Sequence, residues 1–420
     1  MGDTRRVTGA LRRAVGETLG LVQFPGAGRW TAMSVIDAAG TGLLAPITVL
    51  YFTVYVGLSA TSVGTGLTVG ALAALALAPV TGALVDRVGA KPVLMASMAL
   101  ASLAYASYGL VDSWATLVVA VAAAEIAAAG HSTGRKAMIA NIASGRTRTR
   151  MLASQRSVRN IGYGIGGLLA TLALALGGDA YLGVVYGDAA SFLVAIALVA
   201  GIEVPPLVGY AARPGGAWRG LRTVAKDRRY LALTAAAVPG TFYIAALDIA
   251  MPLWIVRYTE APAPVAGLLF AMNTVIVVAF QVRASRGIDG PQSASRAYRR
   301  AAALMGLCAA AFLAAHYVDR SAAILLLVLG ALAHVGVEMF ASAGEWVTSM
   351  ELAPADHRGS YLSVFSLGNS LQDALGPTFV TVVLLLGAAW LWPTLAALVW
   401  AGTLASAAIA SGSGRRPSRR

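Results

Sequence analysis

The chain has 420 residues, of which 58% are hydrophobic and 12% are charged, and its mean hydropathy is +0.71. A soluble domain is about half apolar and about a quarter charged. This composition excludes a soluble globular enzyme and predicts an all-α integral membrane protein. The net charge of +13 would favour a nucleic-acid partner if the cations formed one patch. They are spread among short polar segments instead, so no nucleic-acid binding is expected.

Twelve apolar runs of membrane length follow a basic N-terminal segment in which apolar residues recur at helical spacing. The longest break between runs is rich in proline and arginine and is interpreted as a linker between two six-helix halves. The predicted spans are 30–56, 60–84, 92–112, 116–139, 157–178, 181–203, 231–256, 262–284, 299–318, 321–346, 360–387 and 389–411. The predicted segments are an amphipathic cytoplasmic tail 1–29, an N-terminal half 30–203, a cytoplasmic linker 204–230, a C-terminal half 231–411 and a basic cytoplasmic tail 412–420.

The distribution of positive charge predicts the orientation of these spans. Of the 32 Lys and Arg residues, only Arg257 and Arg320 fall on the outer side when both termini are placed in the cytoplasm. An excess of Lys and Arg in cytoplasmic loops is the usual determinant of orientation. The abundance of arginine, alanine and glycine indicates a bacterial, GC-rich genome. We therefore expect a multi-pass protein of the bacterial inner membrane with both termini inside.

The two halves repeat weakly. A single shift without gaps aligns Arg148 with Arg358 and Gly166 with Gly376. Such an internal repeat predicts a duplication of six spans in parallel.

The turn between the second and third spans carries the most specific motif of the chain. Its glycines allow a tight turn and close helix approach, its carboxylate can face a helix N-terminus, and its cations can anchor on the cytoplasmic side. The pattern resembles the loop motif between the second and third helices of the major facilitator superfamily. The residues of this gating motif are Gly82, Asp86, Arg87, Gly89 and Lys91.

The resemblance covers nearly the whole chain and implies the major facilitator fold, with spans 1, 4, 7 and 10 lining a central cavity. It also implies that Asp86 lies at the cytoplasmic start of span 11, near Gly359, where the contact could latch an inner gate. The alternative is that the motif only anchors the turn on the positive side of the membrane.

Acidic residues at membrane depth are the first candidates for chemistry, because a charged group at the bilayer centre costs about 2.5–3.5 kcal/mol. Few Lys or Arg lie in the same runs, so the carboxylates are expected to lack basic partners and to face water, bind cations or carry protons. We interpret Asp188 and Asp373 as packing residues, because their spans lie off the implied cavity. The acidic residues are Asp37, Glu125, Asp188, Asp248, Glu338 and Asp373.

Glu338 is the strongest candidate for proton coupling. His334 lies one turn before it and Glu345 two turns after it, so the three share a helix face and could relay protons. The surrounding sequence resembles the span 10–11 region of drug/proton antiporters, in which a membrane-embedded acid couples protons to export. Asp37 and Glu125 complete the predicted proton-coupling set, although Glu125 stands where many relatives carry an arginine. The alternative for each residue is hydrogen-bonded packing.

Several residues are predicted to line a substrate cavity. Asn273 and Gln281 resemble a polar pair common in these exporters, and Asp248 could contact substrate or a proton. Aromatic side chains could form a wall for an apolar cation, although each one could equally be a packing residue. These aromatic candidates are Tyr51, Phe242, Tyr243, Trp254 and Phe340.

Small residues in spans 5 and 11 predict close helix packing. Gly162, Gly166 and Gly167 resemble the antiporter motif of the superfamily, with Gly167 at a position where proline is usual. Gly376 and Pro377 are the corresponding pair in span 11. A dinucleotide site is not expected at these glycines because no strand precedes them.

These features together predict proton-coupled efflux of small amphiphilic molecules, chiefly cations such as antibiotics, by alternating access. The proton gradient would replace any cofactor, no metal site is predicted, and a monomer in the lipid bilayer would suffice. One alternative is a facilitator that imports a nutrient or exports a siderophore. Another is a transport-inactive membrane sensor or scaffold. An enzyme is not expected, because the sequence lacks a metal cluster, a nucleophile elbow and paired catalytic carboxylates.

Overall fold

In a computed structural model, the structure describes residues 19–44, 47–176, 178–203, 218–262 and 264–412, and every regular element in these ranges is helical. Residues 1–18 of the predicted N-terminal tail, residues 413–420 of the C-terminal tail and the proline-rich part of the linker lie outside the described residues.

The long helices follow the predicted apolar runs. Apolar stretches of this length satisfy their backbone polar groups internally, which is what a membrane requires. Their bounds are α1 Ala27–Leu44, α2 Ala60–Val88, α3 Ala90–Ser107, α4 Trp114–Ile142, α5 Gly145–Leu176, α6 Ala180–Ala200, α7 Arg228–Tyr258, α8 Pro264–Ala284, α9 Pro291–Ala314, α10 Arg320–Glu351, α11 Arg358–Leu386 and α12 Leu391–Ser411.

Two of the spans contain π-helical turns. The turn Tyr51–Tyr55 follows α1 after the short helix Thr48–Leu50, and the turn Ala246–Ala250 interrupts α7. A further short helix, Trp218–Lys226, precedes α7. Single π-helical turns often occur at functional positions of a helix.

Length and composition identify the described chain as a multi-pass membrane protein. Eight of its helices are long and apolar enough to cross a bilayer, and α2 passes the same test as a pair of segments bent by 42°. The bend falls at Pro79, whose missing N–H interrupts the helical hydrogen bonds.

The helices group into two units. The first unit holds the described residues up to Thr223 together with Pro354–Val364, which includes the first turns of α11. Within this unit α1 packs against α5 and α6, α2 against α4, and α3 against α4 and α6. Its apolar core includes Phe52, Leu117 and Val185, which are all buried.

The second unit holds α7 to α10, the rest of α11, and α12. Within this unit α9 packs against α10 and α12, α7 against α12, and α8 against α10. Aromatic rings form its core: Phe312 stacks on Trp392 at 4.3 Å, and the indole N–H of Trp254 donates to the Phe312 carbonyl oxygen at 2.7 Å. Buried Trp side chains are stable in a core when the N–H finds such a partner.

One helix-end contact occurs in both units. Arg29 near the start of α1 donates to the carbonyl oxygen of Gly201 at the end of α6. Arg229 near the start of α7 donates to the carbonyl oxygen of Ile409 near the end of α12. A cation at a helix C-terminus satisfies carbonyls that have no partner within the helix and interacts favourably with the helix dipole.

Glycines allow α1 and α5 to pack backbone against backbone. A Cβ added at Gly166 would lie 2.1 Å from the carbonyl oxygen of Ala39, and one added at Gly162 would lie 2.6 Å from that of Val35. At Gly167, by contrast, an added Cβ would meet no described atom within 4 Å. Two of the three predicted packing glycines therefore face α1, and the third does not.

In the second unit, Gly376 of α11 lies close to α7. Its added Cβ would be 3.1 Å from the Cβ of Ala245 and 2.9 Å from the Nε2 atom of Gln372. The side chain of Pro377 lies outside what the structure describes.

Replacing Gly166 with alanine should destabilise the protein by about 1–3 kcal/mol, because the new methyl group overlaps the α1 backbone. The Gly167→Ala variant is the matched control, and it should be neutral or stabilising by about 0.5–1 kcal/mol. Unfolding of the purified variants in detergent measures both effects. Equal stability of the two variants would contradict the backbone contact at Gly166.

Candidate functional site

Asp37 lies at the centre of a buried ionic cluster in the first unit. Its side chain is 1% exposed, and Arg159 of α5 donates to its Oδ2 atom. Nη1 of Arg135 on α4 lies 3.6 Å from the same oxygen, and Nδ1 of His131 lies 3.7 Å from Oδ1. The expectation that the membrane carboxylates lack basic partners is therefore wrong for Asp37.

The helix packing explains these contacts. The glycine contacts between α1 and α5 bring Arg159 beside Asp37, and α4 extends to Ile142, so Arg135 lies within a long helix. Sequence reasoning treated these arginines as cytoplasmic anchors at helix ends. A usable signal was present in the i, i+4 spacing of His131 with Arg135, which puts both on one helix face.

Arg159 is held in place by a second residue of α5. Its Nη2 atom donates to the hydroxyl of Tyr163 at 3.0 Å, and its guanidinium carbon lies 5.3 Å from the centre of the Tyr163 ring. A cation over an aromatic face gains further stabilisation when it is desolvated. The contacts with Tyr163 thus fix the orientation of the guanidinium that pairs with Asp37.

The second unit contains another buried polar group. Glu338 is 7% exposed, and its Oε2 atom accepts a hydrogen bond from Nδ2 of Asn273 at 3.0 Å. Nε2 of His334 donates to the carbonyl oxygen of Tyr243 at 2.8 Å. Nε2 of Gln281 donates to a carbonyl oxygen of α10 at 3.4 Å. The structure therefore places five of the residues predicted for coupling and substrate binding in one unit, and it pairs Glu338 with Asn273 and His334 with Tyr243.

The remaining predicted acids differ in burial. Glu345 is 8% exposed on α10, whereas Glu125 and Asp248 are exposed. Their roles in coupling and substrate binding stay predictions.

The predicted aromatic wall lies mostly in the helix cores. Tyr51 is buried and its hydroxyl donates to a backbone carbonyl at 3.1 Å, Trp254 is fully buried, and Phe242 packs edge-on against Phe379 at 5.1 Å. Phe340 is half-buried, with the guanidinium of Arg300 at 5.6 Å from its ring centre. Packing accounts for the positions of Tyr51, Trp254 and Phe242.

Asp86 contacts the first turn of α11, as the sequence predicted. Its Oδ1 atom accepts from the backbone N–H of Gly359 at 2.7 Å, and its Oδ2 atom accepts from that of Ser360 at 2.8 Å. The first N–H groups of a helix have no partner within the helix and carry its positive dipole end. A carboxylate is the natural acceptor for them, and these charge-assisted hydrogen bonds are strong.

The rest of the motif supports this contact in different ways. A Cβ at Gly82 would lie 2.3 Å from the carbonyl oxygen of Gly359, so only glycine allows the approach. Gly89 has a φ of +93°, a conformation that favours glycine at the turn. Nζ of Lys91 donates to two carbonyl oxygens at the end of α6, each at 2.8 Å, and Arg87 is exposed.

Sequence comparison identifies the family. The profile of the Major Facilitator Superfamily matches residues 31–377, which is most of the chain. The chain belongs to the major facilitator superfamily. No curated protein matches it.

Solved structures of transporters are similar in fold to this one. The human organic anion transporter TETRAN has 18% identity and a TM-score of 0.69, with 91% of this chain and 100% of that chain covered. A bacterial homologue of the iron transporter ferroportin has 15% identity and a TM-score of 0.70, with 93% and 99% covered. The fucose:proton symporter of E. coli has 13% identity and a TM-score of 0.62, with 93% and 98% covered. These likenesses show a shared fold, and membership of the superfamily makes this chain a multi-pass membrane transporter and not an enzyme.

Breaking the ion pair of Asp37 should be strongly destabilising. Asp37→Asn removes the buried counter-charge of Arg159, and Arg159→Gln leaves Asp37 with only the longer contacts to Arg135 and His131. Removing one member of a buried ion pair costs about 3–5 kcal/mol. The double variant should cost clearly less than the sum of the two, and unfolding in detergent measures this difference. The control cycle combines Asp37→Asn with Arg150→Gln, which replaces an exposed arginine of the same helix. The destabilisations of these two variants should add. Additivity in both cycles would contradict the pairing.

Asp86→Asn should destabilise the protein by about 1.5–3 kcal/mol, the usual contribution of a hydrogen bond to a charged group. Arg87→Gln next to it changes an exposed side chain and should stay within about 0.5 kcal/mol of the wild type. The same unfolding measurement compares the two. A larger effect of Arg87→Gln would show that charge in the turn matters more than the contact with α11.

Proposed function

We propose that this facilitator is a proton-coupled antiporter that exports small amphiphilic molecules, such as antibiotics, by alternating access. It would work as a monomer in the bacterial inner membrane, with both termini in the cytoplasm and no cofactor other than the proton gradient.

Twelve spans in two repeats of six are part of this proposal. The helix pairs α1–α6, α3–α4 and α2–α4 of the first unit have counterparts in α7–α12, α9–α10 and α8–α10 of the second. The Arg29 and Arg229 contacts occupy equivalent helix ends. Both observations support a duplication, which is a common architecture of secondary transporters.

The observation that carries the proposal is the buried cluster around Asp37. A proton and the guanidinium of Arg159 compete for one carboxylate, so protonation of Asp37 would release Arg159. Ionisable groups in this position are costly in a membrane and usually mark proton or substrate pathways. A release of this kind is a local change that could shift a two-state equilibrium between conformations.

Glu338 is the second proposed proton site. It is buried, accepts from the amide of Asn273, and lies one turn from the buried His334. Proton binding at Glu338 would turn the carboxylate into a neutral acid and change its pairing with Asn273.

The proposed preference for cations rests on the acids of the second unit and on Glu125. The two arginines beside Asp37 mean that the first unit does not offer a purely acidic surface. They favour a second candidate, in which a proton-coupled facilitator takes up an anionic nutrient or exports an anionic siderophore. The direction of proton-driven movement and the charge of the substrate separate the two candidates.

The contact between Asp86 and the first turn of α11 is proposed as an inner gate latch. It would form in one conformation and break in the other, since switching between packed arrangements commonly exchanges such contacts. Gly82 supports this role because it allows the close approach on which the hydrogen bonds depend.

Reconstituted protein in liposomes with an acidic lumen tests the coupling. Wild type should move the fluorescent cation ethidium against its gradient while protons leave the lumen, and Glu338→Gln should abolish both, because the amide cannot bind and release the proton. Glu351→Gln, an exposed acid at the end of the same helix, is the control and should behave as wild type. Full coupling in Glu338→Gln would remove Glu338 from the mechanism.

A further inference from the structure

The first unit contains a second buried carboxyl group that the proposed mechanism does not use. Asp188 on α6 is 1% exposed. Its Oδ1 atom lies against the backbone of α1 at Gly40, where an added Cβ would be 2.4 Å away, and it is 3.5 Å from the hydroxyl of Ser191. Within the described part of the chain, its Oδ2 atom has no hydrogen-bond partner.

Titratable groups reach Asp188 from the helices around it. Asp37 lies three residues before Gly40 on α1, which puts it on the helix face that Asp188 contacts. The Tyr105 ring, near the end of α3, stacks on Phe192 of α6 at 5.7 Å and meets the Tyr108 ring edge-on at 5.4 Å.

The helix α4 contributes His131 to the same region. The His131 ring meets Phe192 edge-on at 6.2 Å, and Phe192 lies one turn beyond Asp188 on α6. Nε2 of His131 is buried and, among the described residues, has no hydrogen-bond partner.

The basic side chains of the cluster contact Asp37 and not Asp188. Arg135 and Arg159 both lie beside Asp37, and Arg159 also donates to Tyr163. Both guanidinium groups therefore stabilise the ionised form of Asp37 rather than that of Asp188.

We propose that Asp188 is a proton-carrying residue of the transport cycle, paired with Asp37; this rests on the proposed proton coupling. A buried carboxylate oxygen without a donor is expensive, and two neighbouring carboxyl groups share one proton more readily than they both ionise. While Arg159 pairs with the ionised Asp37, Asp188 holds the proton.

The proposed step conserves charge. The O–H bond at Asp188 breaks and an O–H bond at Asp37 forms, so that Arg159 loses its ionised partner as the negative charge moves from α1 to α6. The number of charges in the cluster stays the same, and only their positions change. Asp188 thereby stores the proton that later releases Arg159.

Infrared spectroscopy on the full-length protein in lipid tests the stored proton without any substrate. Wild type at neutral pH should show a C=O stretching band of a buried protonated carboxyl group. Asp188→Asn, which closely matches the shape of the neutral acid, should lack that band. Asp179→Asn, an exposed acid at the start of the same helix, should keep it.

Absence of the band in wild type, or its persistence in Asp188→Asn, overturns the proposal. Absence of the band in wild type overturns the proposal even if the variant does not fold.

Transport of ethidium by reconstituted protein tests the role of the proton. Asp188→Asn should still exchange ethidium across the membrane without a proton gradient and should lose accumulation driven by one. If wild type and Asp188→Asn accumulate ethidium equally well when driven by a proton gradient, the role of Asp188 is overturned and the proposed function stands. A wild type that exchanges ethidium but ignores the proton gradient overturns the proposed function itself.

Discussion

The first unit depends on one constraint: a carboxylate buried within a membrane protein must find its counter-charge inside the protein. Asp37 meets this constraint through Arg159, and the pair can form only because α1 and α5 approach at their glycines. The Asp37–Arg159 ion pair therefore depends on the glycine contact between α1 and α5. A change that separates the two helices also removes the partner of the buried charge.

The fold could largely be predicted from the sequence because a bilayer allows few alternatives. Each long apolar run had to be a helix, and the observed bounds differ from the predicted ones mainly where polar ends continue the helix, as in α4 and α5. The contact of Asp86 with α11 was also predictable, since the motif between the second and third spans is specific to one family.

The candidate site was harder to predict, because pairing depends on the rotation of each helix about its axis. Positive-inside counting assigned Arg135 and Arg159 to the cytoplasmic surface, but hydropathy cannot tell an anchoring arginine from one that turns inward. Asp188 was interpreted as a packing residue because its span lies off the cavity that the resemblance implies, and the sequence does not show its contact with α1 at Gly40. The aromatic residues Tyr51 and Trp254 were too general a signal, because large rings fill helix cores as readily as they line cavities.

Several of the cations that make up the net charge form hydrogen bonds at the ends of α6 and α12. Arg29, Lys91 and Arg229 give their hydrogens to backbone carbonyls, so part of the positive charge is already engaged with helix termini. These three cations are therefore less available to bind lipid phosphates directly than the formal net charge of +13 suggests. As caps they hold the last turns of α6 and α12 and restrain fraying there.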